Sequence, residues 1–211
     1  MPLAPFRAFA IVPAAGESRR MGRPKLLLPW GKGTLIEQTL ANWKECDLTA
    51  IIVVVRPGDR ELADLCRQSG VDVVAPPSPP PHMRDSVQLA LDHLDRTRHP
   101  GAADVWLLAP ADMPRLSPAI VAELLAAHRA SDPAILTPTI GQRRGHPVLF
   151  PWALAAQVAS LAIGRGIDAL HWKNPGRSVP CDHLAVGTTA FDDVDTLEEY
   201  ERSLGQTPPG G

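Results

Sequence analysis

Four stretches of the chain, 9–12, 51–55, 71–74 and 105–108, are short apolar runs rich in β-branched residues, and the segments between them place apolar residues three and four positions apart. The first pattern belongs to strands buried on both faces, the second to helices packed against them. Helices are accordingly predicted over 34–46, 60–69, 86–95 and 118–129, giving an α/β, doubly wound parallel sheet for the N-terminal two thirds. Thr34 and Glu37 have the spacing of a capping box, and Ser117 followed by Pro118 reads as an N-cap with proline at the first helical position. The proline-rich run 76–81 excludes helix and central strand, so it reads as a stiff surface loop leading to the helix that starts near Ser86. Beyond residue 131 the pattern loosens, with strands expected at 134–137 and 147–150 and helices at 152–160, 167–173 and 196–204. The tail 206–211 has too little apolar content to pack and is expected to fray, which leaves one domain over 1–205.

Composition narrows the class. With 211 residues, 45% of them hydrophobic, the chain can build one α/β core, and two full domains would be cramped. A net charge of -2 gives no overall attraction to nucleic acid or a membrane surface, so any basic character must be local. Cys46, Cys66 and Cys181 are far apart and lack metal-ligand spacing, which argues against a disulfide framework or a zinc site and fits a reducing cytoplasm. No signal-peptide pattern and no run long enough to span a bilayer is present, so a soluble, cytoplasmic, unexported protein is expected.

Local basic character sits in the loop after the first strand. Ala14, Ala15 and Gly16 carry almost no side chain, so a phosphate could approach their backbone amides, and Arg19, Arg20 and Lys25 bring positive charge to the same loop. The spacing is neither the dinucleotide fingerprint nor the P-loop, and another kind of nucleotide site is required. Asp112 follows the strand 105–108. Parallel strands would bring it to the same sheet edge as the first loop, and a carboxylate facing a triphosphate suits magnesium. A third cluster, Asp192, Asp193 and Asp195, precedes the last helix. One of these acids is expected to complete the metal site, with Asp193 preferred, while Asp195 or Thr196 caps the helix and Asp192 faces solvent.

The motif Pro-Ala-Ala-Gly-x-Ser-Arg-Arg-Met-Gly-x-Pro-Lys at 13–25, Asp112-Met-Pro, Arg-Gly-His-Pro-Val-Leu-Phe at 144–150 and Asp-Val-Asp-Thr-x-Glu-Glu-Tyr at 193–200 resemble the MobA-like nucleotidyltransferases. Among these the chain looks most like the molybdenum cofactor cytidylyltransferase branch, over residues 8–204 in unbroken motif order. The resemblance implies a three-layer α/β/α Rossmann-like fold with a mostly parallel mixed sheet. It also implies that Ala14, Ala15, Gly16, Gly22 and Ser86 contact the nucleotide, that Arg20 and Lys25 meet its phosphates, and that Asp112 with Asp193 holds Mg2+. Ala-Ala-Gly at 14–16 favours CTP over GTP by the same resemblance. Three places depart from the family pattern: Pro13, Ala111 and the segment 82–87, which only partly matches Gly-Met-x-x-Ser-Leu.

The expected reaction is attack by a phosphate oxygen of an acceptor, molybdopterin or molybdenum cofactor, on the α-phosphorus of the triphosphate, with release of pyrophosphate. Alignment and charge neutralisation would supply the catalysis, with Lys25, Arg20 and Asp112 as catalytic residues. Arg144, His146 and Arg165 are candidates for the acceptor, although His146 equally reads as a satisfied histidine at a strand start, and Arg143 as a solvated cation. Trp152 and Trp172 are expected to pack. A sugar or polyol phosphate acceptor, or a binding module without turnover, remains open from sequence. A handover partner among molybdoenzymes or their chaperones would follow from the molybdenum reading.

Overall fold

The computed structural model describes residues 6–18, 21–162 and 164–205; Arg19, Arg20 and the tail 206–211, named above, lie outside them. In chain order the elements are β1 (Ala8–Ala14), β2 (Pro29–Trp30), β3 (Gly33–Thr34), α1 (Leu35–Lys44), β4 (Ala50–Val55), α2 (Arg60–Gln68), β5 (Asp72–Val74) and α3 (Met83–Arg98). There follow β6 (Val105–Leu108), α4 (Pro118–Ala127), β7 (Ile135–Ile140), β8 (Arg143–Arg144), β9 (Val148–Pro151), α5 (Ala155–Ala159), β10 (Gly176–Pro180) and α6 (Leu197–Gly205).

The main sheet runs β5-β4-β1-β6-β9-β7-β10, with β8 hairpinned onto β7. β9 is antiparallel to both of its neighbours, whereas β5, β4, β1 and β6 are mutually parallel. Ile11 of β1 sits opposite Ile52 on one side and Leu108 on the other, so the first strand is central and its apolar run is explained.

Alternation along these strands divides the core into two layers. Ala10 and Val12, with Val53 and Leu107, face α1, α2 and α4; Phe9 and Ile11, with Ile52 and Trp106, face α3 and α5. Every β1 residue from Phe9 to Val12 is fully buried, which at roughly 25 cal/mol per Å² of apolar area makes this strand a main source of stability. Trp106 stacks on Phe150 with ring centroids 4.2 Å apart, fixing β9 against β6. This is the three-layer arrangement expected from sequence.

The ends of elements differ from expectation for local reasons. The Thr34 capping box forms as its spacing predicted. Pro118 stands at the first turn of α4, but the Ser117 side chain makes no capping hydrogen bond. α3 starts three residues early, at Met83, because Asp85 reaches back to accept from the His82 amide at 3.0 Å. The segments 152–160 and 167–173 wind mostly as tight three-residue turns, Trp152–Leu154 and Ile167–Trp172, with only α5 between them. β10 was not anticipated: it is an edge strand in which Val179 alone is buried, so its sequence carries no apolar run.

Candidate active site

Because β1 and β6 are parallel neighbours, the loops that follow them open on the same edge of the sheet. There lies a cleft of about 670 Å³, lined by Ala14, Ala15 and Gly16 from the first loop, Lys25, Ser86 from the start of α3, and Asp112. A methyl group built on Gly16 would meet no atom of the described residues within 4 Å, so their packing does not demand glycine there, and Gly16 lines the cleft. Gly22 does not line the cleft; its φ of +63° makes it the turn that carries the chain back towards Lys25. Ser18 supports that turn, accepting from the Lys25 amide at 3.2 Å through Oγ and from the Met21 amide at 3.0 Å through its carbonyl.

Lys25 is the centre of the site. Its Nζ donates to Asp112 Oδ2 and, at 2.7 Å, to Asp195 Oδ1, joining three segments remote in sequence. Burial pulls the ammonium pKa down, but the charges of Asp112 and Asp195 and their hydrogen bonds outweigh it and hold Lys25 above its ordinary 10.5. Asp112 is 8% exposed, and its second oxygen, Oδ1, is buried with no hydrogen-bond partner among the described residues.

The last acidic cluster divides by role. Asp192 turns outward and pairs with Arg143 at 2.6 Å, and the same guanidinium donates to the carbonyls of Thr188 and Phe191. Arg143 therefore clasps this segment and is not merely solvated. Asp193 points towards like charge: burial first, then Asp112 and Asp195, push its carboxyl above the ordinary 3.8. Asp195 goes to Lys25, and Thr196 caps α6, accepting from the Glu199 amide at 3.2 Å. The Val194 amide donates to the Asp112 carbonyl at 3.0 Å and pins the segment to the end of β6. Phe191 fills the space above Gly145, where a methyl group would lie 2.1 Å from its ring.

Asp195, one of the three candidate acids ahead of the last helix, pairs with Lys25 at this cleft. Arg56, which ion-pairs with Glu17 beside the first loop, also lines the cleft and is absent from the sequence-based candidates. The available signal for Arg56 was its place directly after β4, at the ligand-bearing edge of the sheet.

A second cavity, about 750 Å³, adjoins the first through His82 and Met83, which line both. Arg144, His146 and Arg165 all line it. His146 has a hydrogen-bond partner, as a satisfied histidine would, with its Nδ1 3.2 Å from the Leu108 carbonyl, and it also lines the second cavity. Burial holds its pKa below 6.5, so the ring is neutral and Nδ1–H donates. Arg144 donates to Thr137 Oγ1 at 3.2 Å. Of the two tryptophans expected to pack, Trp152 does so against the α3 side of the core. Trp172 does not: it is 65% exposed, because Ile167, Ala169 and Leu170 occupy the inward positions of its turn.

The chain is similar to several known proteins. The molybdenum cofactor cytidylyltransferase of Escherichia coli K12 is 30% identical over 139 residues, 66% of this chain and 67% of that protein. The molybdenum cofactor guanylyltransferase of Xanthomonas euvesicatoria is 26% identical over 202 residues, covering 94% of this chain and 95% of that one. The crystal structure of an Rv0371c homologue from Mycobacterium sp. strain JC1 superposes with a TM-score of 0.76 at 29% identity, covering 94% of this chain and 96% of that one. Residues 10–175 match the MobA-like NTP transferase domain, and the chain belongs to that nucleotidyltransferase family.

Proposed function

We propose that the chain transfers CMP from CTP to the terminal phosphate of a molybdopterin-type acceptor and releases pyrophosphate. An acceptor phosphate oxygen forms the new bond to the α-phosphorus, and the bond from that phosphorus to the bridging oxygen of the leaving pyrophosphate breaks. The observation that carries the reading is the meeting of Lys25, Asp112 and Asp195 on the floor of a cleft whose rim is Ala14, Ala15 and Gly16. A half-buried ammonium beside small-residue backbone is suited to a polyphosphate, and the identity with the cytidylyltransferase supports the cytidine preference.

The donor set fits a divalent cation. Asp112 Oδ1 is a buried carboxylate oxygen without a partner among the described residues, and Asp193 is crowded by like charge that a cation would relieve. Asp112 and Asp193 would hold Mg2+, which when bound supplies charge neutralisation to the transferring and leaving phosphate oxygens. Lys25, kept protonated, holds a positive charge at the same place, and Arg20 would add a second. Ser86, at the first turn of α3, would face the nucleoside. Arg144 and Arg165 would position the anionic acceptor, and neutral His146 offers its second ring nitrogen to the acceptor cavity. No covalent enzyme intermediate is needed, because phosphate is already a competent nucleophile and the protein has only to align it.

The test is pyrophosphate release with each of the four ribonucleoside triphosphates, with and without molybdenum cofactor, in the presence of magnesium. Release that requires both CTP and the cofactor is expected. Turnover with a sugar or polyol phosphate alone would move the acceptor to that class, and no turnover with any acceptor would make the chain a nucleotide-binding module.

A further inference from the structure

Trp172 stands apart from the other tryptophans. Trp30, Trp43 and Trp106 are buried and Trp152 packs on the core, yet Trp172 is 65% exposed at the edge of the second cavity. Met83, 52% exposed, lines the same cavity, so two of the large apolar side chains that the fold leaves in water border one space. Water contact by an indole is unfavourable, and a cluster of this kind beside a cavity marks a ligand surface.

The ring is held in place. The Arg165 guanidinium lies over it, 4.5 Å from the ring centroid, which is a cation–π contact. The turn Ile167–Trp172 is anchored by three buried residues, and Asn174 closes it by donating to the Leu170 carbonyl at 2.8 Å while exchanging amide hydrogen bonds with Gln157. Arg84, from the start of α3, donates to the carbonyls of Leu161 and Ala162 at 2.9 and 3.1 Å and ties down the chain just ahead of Arg165. Trp172 is thus exposed from a braced turn, and little order remains to be imposed when a ligand arrives.

The cavity combines a flat π-surface, a thioether and the guanidinium groups of Arg144 and Arg165, with Asp168 as its one carboxylate among the described residues. A sugar phosphate would use the arginines and gain only edge contact with the indole. A planar heterocycle carrying a phosphate would use both. The geometry points to Trp172, stiffened by Arg165, as the residue that selects the acceptor, stacking on the flat heterocyclic end of a molecule whose phosphate is directed towards the nucleotide cleft. This deepens the proposed function and rests on it.

The experiment titrates a pterin monophosphate, followed by its own fluorescence, and ribose 5-phosphate, followed by calorimetry, against the wild type, Trp172→Ala and Trp172→Phe. Because the side chain is exposed, the Ala variant should fold, which an unchanged thermal unfolding temperature verifies. Trp172→Ala should weaken pterin phosphate binding by roughly tenfold or more and Trp172→Phe should restore most of it, while ribose 5-phosphate binds weakly and alike to all three. In turnover the loss should fall on the acceptor KM and spare kcat. Equal pterin phosphate affinity in the Ala variant, or tighter binding of ribose 5-phosphate than of the pterin, overturns the assignment. Pyrophosphate release by the same preparations keeps the two readings apart. A wild type that turns over while Trp172→Ala binds the pterin normally refutes the platform alone, whereas Trp172-dependent pterin binding without turnover refutes the transferase and leaves the platform standing.

Discussion

Lys25 owes its raised pKa to Asp112, which it meets because β1 and β6 end side by side, and to Asp195, carried in by the Val194–Asp112 hydrogen bond, and its removal tests the site most directly. Lys25→Ala should lower kcat/KM by at least ~2 kcal/mol of transition-state stabilisation, about thirtyfold, in steady-state pyrophosphate release. The same change frees Asp112 and Asp195 to repel each other and should lower the unfolding temperature too, so activity is to be read well below it. Gly145 is constrained differently. A methyl group there meets the Phe191 ring, so Gly145→Ala should destabilise the protein by about 1–3 kcal/mol in denaturant titration. A variant as stable as the wild type would show that Phe191 has somewhere else to go. At this scale sequence separated the acids of 192–195 poorly, since residues so close along the chain differ only in direction, and direction is set by Arg143, Lys25 and the Val194–Asp112 hydrogen bond.

Among the elements, those buried on both sides were legible and those at the margin were not. β1, β4 and β6 announce themselves by apolar runs, and the 35–44 helix by its cap, since each needs only local chemistry to be recognised. Thr34→Ala removes the hydroxyl that accepts from the Glu37 amide, while the backbone amide at 34 still donates to the Glu37 carboxylate; it should cost about 1 kcal/mol in stability and leave kcat near the wild-type value, because α1 packs behind the sheet. β10, by contrast, shows water four of its five residues, and the turn carrying Trp172 is too short for a helical period to declare which side faces in. Trp172 is expected to pack because a tryptophan is apolar by composition, and only the neighbouring Ile167 and Leu170 reveal that the inward positions are already taken.

For the molecule as a whole, pH acts through three imidazoles. Burial holds His128, His146 and His171 below their ordinary 6.5 in the folded protein. The unfolded chain therefore takes up protons first, and stability is complete above that value and declines as pH falls through it. Asp193 works in the opposite sense, because its raised carboxyl pKa favours the folded state once it is protonated. In an Asp193→Asn background the unfolding temperature should fall steadily from pH 7.5 to 5.5, and a flat or rising profile would contradict the burial of these rings. Long-range convergence of this kind was visible in the sequence only as separate motifs, and the parallel register of β1 with β6 is what turns them into one place.

The backbone hydrogen bond from the Val194 amide to the Asp112 carbonyl moors the closing stretch of polypeptide to the cleft, and the Tyr200 hydroxyl, donating to the Pro29 carbonyl at 2.5 Å, moors it to β2. Proteolytic clipping just before Thr188 would spare the whole span 10–175 that defines the family and still strip Lys25 of one of its anionic neighbours. A truncated product of that kind would keep the family's sequence hallmarks while lacking the complete Lys25–Asp112–Asp195 cluster.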